Sequence, residues 1–233
     1  MANFIKAFKF SPVTVGLVML MIVIYGAEIL IARSLTIPIP VLFHFGAEYA
    51  PAVLVLQQWW RLLTAGFLHI SFSHIALNMV ALYFIGRLLE RALGSWRFSI
   101  IFLMAVIGGN LTTLTLGQLQ TISAGASGGI FGLFGAVIAL GYLYPTQPFW
   151  QAQAKSMTIF VILSLLTTIF TPHVDLSAHL GGFISGILTL MILSPTTPTR
   201  PKLKAQWPVY RRISGGVLII GWLLLLIRSW GRL

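Results

Sequence analysis

The stretch Gly125-Ala126-Ser127-Gly128, which continues as GIFGLFGAVIALGYLYP to Pro145, sets one serine between a polar loop and an apolar helix. Serines that act as nucleophiles need Gly-lined or strained backbone, and small neighbours let a reacting carbonyl come close. A polar group at the mouth of a membrane helix is expensive and marks function by default. A second such position is His179, in Ala178-His179-Leu180-Gly181-Gly182, at the mouth of another apolar helix. A serine and a histidine at membrane depth point toward hydrolysis of peptide bonds within a bilayer.

The rest of the chain supports the membrane reading. Of 233 residues, 58% are hydrophobic and 8% charged, with a mean hydropathy of +0.93. A soluble domain carries about 25% charged residues, so a soluble fold would lack polar surface. The chain has no cysteine, which excludes disulfides, a thiolate nucleophile and thiolate metal sites.

Seven apolar stretches are long enough to span, at 12–33, 72–93, 97–117, 127–144, 156–171, 178–194 and 213–230. The expected fold is therefore all-α, with seven transmembrane helices. The first stretch is too long for a signal-peptide core and lacks a small-residue cleavage site, so it is read as a retained span.

Basic residues orient the spans. With the N-terminus inside, the inner segments carry Lys6, Lys9, Arg87, Arg91, Arg97, Lys155, Arg200, Lys202, Lys204, Arg211 and Arg212. The outer segments carry Arg33, Arg61, Arg228 and Arg232, so the split is eleven to four. That bias predicts a cytoplasmic N-terminus and a C-terminus outside. It also accounts for the net charge of +11 as topology and lipid attraction, with no stripe suited to nucleic acid.

In this orientation His74 and Asn78 open the second span, Ser127 the fourth and His179 the sixth. All four lie at the outer ends of inward-running helices. From Ser127 to Tyr144 the helix covers roughly 26 Å, less than a hydrocarbon core of ~30 Å, so Ser127 falls a little below the outer surface. Gly128, Gly132 and Gly135 on the fourth span and Gly182 and Gly186 on the sixth have the spacing that lets helix backbones approach closely. Such contact would bring His179 within reach of Ser127.

These segments, with His74-xxx-Asn78, resemble the rhomboid intramembrane serine proteases. Trp60-Arg61 in the first outer loop is similar to that family's Trp-Arg element. Gly86-Arg87-Leu88-Leu89-Glu90-Arg91-Ala92-Leu93-Gly94-Ser95 resembles the inner end of its second helix. The resemblance covers roughly residues 12–194 and implies a six-helix catalytic core, 1–194, including the outer loop 34–71. A cytoplasmic basic linker, 195–212, and an additional C-terminal helix, 213–233, would complete a six-plus-one layout. No extramembrane domain is expected at either end.

The resemblance implies a Ser–His dyad, with Ser127 as nucleophile and His179 as general base and acid. His74 and Asn78, one helical turn apart, face the same way and suit an oxyanion hole, with the Ser127 backbone N–H as a third donor. Gly125, Gly128 and Gly182 would support the site. The resemblance also implies an aromatic stacked on the imidazole, for which Phe131 stands four residues after Ser127; many members have tyrosine there. His69 is read as ordering water and the first outer loop. Asp175 follows Pro172 in the short loop 172–177 and reads as a solvated charge rather than a triad member.

Implied substrates are transmembrane segments of membrane proteins, admitted laterally near the second and fifth helices under a cap formed by loop 172–177. No metal or cofactor is implied, and no His-Glu-x-x-His pattern occurs. The expected location is an integral membrane, the plasma membrane if the cell is bacterial. A non-catalytic rhomboid-like binder or chaperone is the alternative. A transporter fits less well, because no internal repeat is evident and Glu28 is the lone carboxyl near a span centre.

Overall fold

Length and hydropathy decide the architecture, and the computed structural model describes residues 11–170, 175–193 and 201–231. Helix α1 spans Pro12–Ala32. The outer loop that follows holds α2 (Ile39–Phe45), strand β1 (Glu48–Tyr49), α3 (Ala50–Leu54), α4 (Arg61–Thr64) and a 3-10 turn at Ala65–Phe67. Then come α5 (Phe72–Leu93), α6 (Ser95–Leu116), β2 (Ile122–Ser123), α7 (Ser127–Leu143), α8 (Pro148–Phe170), α9 (Leu176–Leu193) and α10 (Pro201–Trp230). Among the described residues six helices are long and apolar enough to cross a membrane, and the seventeen-residue α7 is a shorter apolar one. The protein is an all-α membrane protein built on these seven helices.

Helices α6, α7 and α9 form the centre. Phe98, Phe102, Leu133 and Leu190 are fully buried between them or beside them. Small residues set the spacing of α7 and α9. A methyl group on Gly182 would overlap the Gly128 carbonyl, and one on Gly186 would overlap that of Gly132. Two helices whose backbones touch in this way hold their N-terminal ends in fixed relation, as close glycine packing allows.

The remaining helices are tied on by long-range polar contacts. Glu90, near the C-terminal end of α5, accepts from the backbone N–H of Val13 and Thr14 at 3.0 and 2.8 Å. It also accepts from Thr14 Oγ1 at 2.6 Å and Ser95 Oγ at 2.7 Å. One carboxylate thus caps the start of α1 and holds α6. Helix α10 lies against α6 and α9, where Trp222 Nε1 donates to Ser185 Oγ at 3.3 Å and Arg211 Nε donates to Ile192 O at 2.8 Å.

The outer loop is more folded than its sequence suggests. Arg61 is buried and donates from Nη1 to Phe43 O and Ala47 O at 2.8 and 2.9 Å, and from Nε to Gln58 Oε1 at 2.6 Å. Its guanidinium sits 4.1 Å from the Phe43 ring centre and 4.7 Å from that of Trp60. These contacts make the Trp60-Arg61 pair the internal fastening of the loop, while Trp60 keeps an exposed face. Strand β1 pairs antiparallel with β2, Glu48 opposite Ser123, so the loop reaches the segment that leads into Ser127.

Two helices begin many residues earlier than hydropathy indicates. Helix α8 starts at Pro148 rather than 156, and Gln151 Nε2 in its first turns donates back to Gly141 O. Helix α10 starts at Pro201 rather than 213, although the segment reads as a proline-rich linker. Proline at a first helical position fits the helix, since its missing N–H has no partner there in any case. Lys6, Lys9, Arg200, Arg232 and the 172–174 part of the cap loop lie outside the described residues.

Candidate active site

Helix α7 begins at Ser127, with Ala126 as its N-cap. The residue before the cap, Gly125, has φ +147°, a region L side chains rarely adopt. A Cβ there would also lie 2.7 Å from His74 Cε1 and 3.8 Å from Ser127 Oγ. Gly125 is therefore the point where α5, the loop and α7 converge. The first-turn N–H groups of α7 have no intrahelical partner and carry partial positive charge beside the serine.

The α7–α9 contact brings Ser127 and His179 together. Ser127 Oγ lies 3.0 Å from His179 Nε2. The imidazole is buried and stacks on Phe131, with ring centres 4.1 Å apart and planes 8° from parallel. Phe131 keeps this stack without a phenol hydroxyl. On the other ring nitrogen, Nδ1, the structure places Thr168 Oγ1 of α8 at 3.4 Å. No spacing in the sequence marks Thr168, which faces His179 only through the packing of two helices.

Asp175 is not the solvated loop charge its sequence position suggests. It is half-buried and accepts from Thr113 Oγ1, from Ser177 Oγ, and from the backbone N–H of Ser177 and Ala178 at 2.9 and 3.3 Å. Its carboxylate caps the first turn of α9 and ties that turn to α6, the ordinary use of an acid at a helix N-terminus. It therefore fixes the backbone that carries His179 and makes no hydrogen bond with the ring among the described residues.

His74 and Asn78 sit one turn apart on α5, His74 half-buried against Gly125 and Asn78 buried. Asn78 Nδ2 has no hydrogen-bond partner among the described residues, so a donor stands free beside the site. His69 is fully buried, packs edge-on against His74 at 5.3 Å, and has neither ring nitrogen paired among the described residues. Burial, and then the neighbouring His74, push its pKa down to about 3, so it stays neutral at ordinary pH. Among the described residues no three His, Cys, Asp or Glu side chains cluster to hold a metal ion.

Glu48, missed by sequence reasoning as a buried group, is 1% exposed beside the strand pair. Burial, and then the charge of Asp175, push its carboxyl up to about 8. Between the ordinary value of 4.5 and about 8, the folded chain holds a proton that the unfolded chain has released. Stability should therefore fall as pH rises through that window and level off beyond it. Thermal unfolding in detergent should show this slope in the wild type and a flatter one in Glu48→Gln.

A rhomboid domain profile matches residues 56–196, more than half of the chain. The chain belongs to the rhomboid family. All of the residues gathered around Ser127 from α5, α7, α8 and α9 fall inside the matched rhomboid segment, and α10 lies beyond it. Rhomboid protease GluP of Bacillus subtilis is 35% identical over 152 residues, 65% of this chain and 29% of its own length. Putative rhomboid protease YdcA of the same organism is 32% identical over 131 residues, 56% of this chain and 65% of its own length. Rhomboid-like protease 3 of Toxoplasma gondii is 29% identical over 184 residues, 78% of this chain and 69% of its own length. The chain thus spans less than a third of the length of GluP and just under two thirds of that of YdcA. With its apolar helices, this family membership makes the protein a multi-pass integral membrane protein.

Proposed function

We propose that this protein is an intramembrane serine endopeptidase that cleaves peptide bonds in or near transmembrane segments of other membrane proteins. The observation that carries the reading is the 3.0 Å approach of His179 Nε2 to Ser127 Oγ at the start of a buried helix. Membership of a family whose relatives bear the name protease supports it.

In this reading His179 Nε2 takes the Ser127 hydroxyl proton as Oγ attacks the substrate carbonyl carbon. In this reading His74, Asn78 Nδ2 and the Ser127 N–H donate to the oxyanion that forms. The imidazolium returns its proton to the amide nitrogen, the C–N bond breaks, and the amine leaves. Water, deprotonated by the same imidazole, then attacks the ester and frees Ser127. No metal or cofactor takes part. A helical substrate must unwind locally, since its amides are shielded by their own hydrogen bonds. Gly125, Gly128 and Gly182 keep the parts of the site in contact.

The decisive experiment is cleavage of a tagged single-span protein by the purified enzyme in liposomes. A product cut near the outer membrane boundary is the expected result. Capture of varied substrates without any cut would favour a binder or chaperone. Asn78→Ala should lower turnover by a graded amount, up to the roughly hundred- to thousandfold typical of one lost oxyanion donor. Near-wild-type turnover in that variant would remove Asn78 from the hole.

In this reading the active face lies on the outer side, with the N-terminus cytoplasmic and the C-terminus outside. Reporters fused near Lys202 and after Leu233 should read inside and outside respectively. Both on one side would remove the orientation.

A further inference from the structure

We infer that Thr168 is a positioning residue for His179, setting the tautomer that lets the ring act as a base; the inference rests on the Ser–His reading above. A neutral imidazole carries one proton, and it can accept from Ser127 at Nε2 only if that proton is on Nδ1. The proton needs an acceptor, because a buried, unpaired N–H is costly.

Thr168 supplies it. The residue is buried near the outer end of α8, with Oγ1 3.4 Å from His179 Nδ1. Its own hydroxyl hydrogen is already committed to the Ser164 carbonyl, 2.8 Å away and one helical turn back. A hydroxyl that donates there turns its lone pairs to other neighbours. The ring must then donate from Nδ1, leaving the Nε2 lone pair facing Ser127 Oγ at 3.0 Å. The arrangement is directional: His179 Nδ1–H to Thr168 Oγ1, then Thr168 Oγ1–H to Ser164 O. Phe131 fixes the plane of the ring, and Thr168 fixes which edge carries the proton.

The other candidate for this place is excluded by its contacts. The Asp175 carboxylate is taken up by Thr113, Ser177 and the first-turn N–H groups of α9. The third partner of the site is thus a neutral hydroxyl from a neighbouring helix. When the ring becomes positive in the transition state, the long Nδ1 contact gains charge assistance and shortens, as catalytic hydrogen bonds often do.

The test pairs a tautomer spectrum with turnover. Protein labelled with 15N at its 5 histidines is recorded in detergent, and His179 is assigned by its absence from His179→Ala. In wild type the neutral ring should carry its proton on Nδ1; in Thr168→Val the population should move toward Nε2. Cleavage of a single-span substrate should fall roughly ten- to hundredfold in kcat in Thr168→Val with little change in KM, the scale of a lost hydrogen bond to a charged group. Thr168→Ser, which keeps the hydroxyl, should return to within about threefold of wild type, as expected if hydrogen bonding rather than packing matters. A wild-type ring protonated on Nε2, full activity in Thr168→Val, or equal damage in Thr168→Ser would overturn the inference. If wild type cleaves nothing, the protease reading fails, while the spectrum still decides the role of Thr168.

Discussion

Ser127→Ala and His179→Ala should each abolish cleavage while leaving the protein folded and able to capture substrate. Without Oγ no acyl-enzyme can form. Without the imidazole the serine stays a neutral alcohol, a poor nucleophile, and the leaving amine has no proton donor. Losses of this kind reach the order of a millionfold. Because the two side chains act as one unit across a 3.0 Å contact, the double variant should be hardly worse than either single one. Additive losses, each leaving measurable turnover, would mean that the two residues serve separate steps. Folding is checked independently, since removing the hydroxyl or the ring touches one corner of a helix contact.

Gly182→Ala should do nearly as much damage from outside the chemistry. A methyl at this position overlaps the Gly128 carbonyl oxygen, which is backbone and cannot rotate away. The α7–α9 pair must part, and α9 carries His179 one turn before the collision. A shift of about 1 Å in a reacting pair costs on the order of a hundredfold in rate. Overpacking also costs about 1–3 kcal/mol, so the unfolding midpoint should drop by several degrees. Gly26→Ala is the control, because a methyl there meets nothing within 4 Å. If the two alanine variants behave alike, close packing of α7 and α9 does not position the site.

Much of this architecture can be read from the sequence. Span positions follow from hydropathy, which is a local property, and most helix ends fall within two residues of the apolar limits. The meeting of Ser127 with His179 was legible because glycine spacing on two helices implies a close contact and both polar residues stand at the same end. What stayed hidden depends on partners distant in the chain. Glu90 reads as one acid among four, yet it caps α1 across more than seventy residues. Asp175 reads as a loop charge because its partner Thr113 lies on another helix. Thr168 is one threonine among many in apolar helices, and only the packing of α8 beside α9 gives it a ring to face. Arg61 is likewise one basic residue in a long loop, and only the fold shows that it organises that loop from within. The early start of α10 was concealed by prolines, which mark a linker as readily as the first turn of a helix.

The central claim is that His179 activates Ser127 for attack. A fluorophosphonate probe reports this directly, because it reacts with an activated serine and leaves an adduct that peptide mass spectrometry can place. Wild-type protein in detergent should carry the adduct on Ser127, Ser127→Ala should carry none, and His179→Ala should label at a rate reduced by orders of magnitude. An adduct on another residue, or unchanged labelling of Ser127 in His179→Ala, would contradict the account.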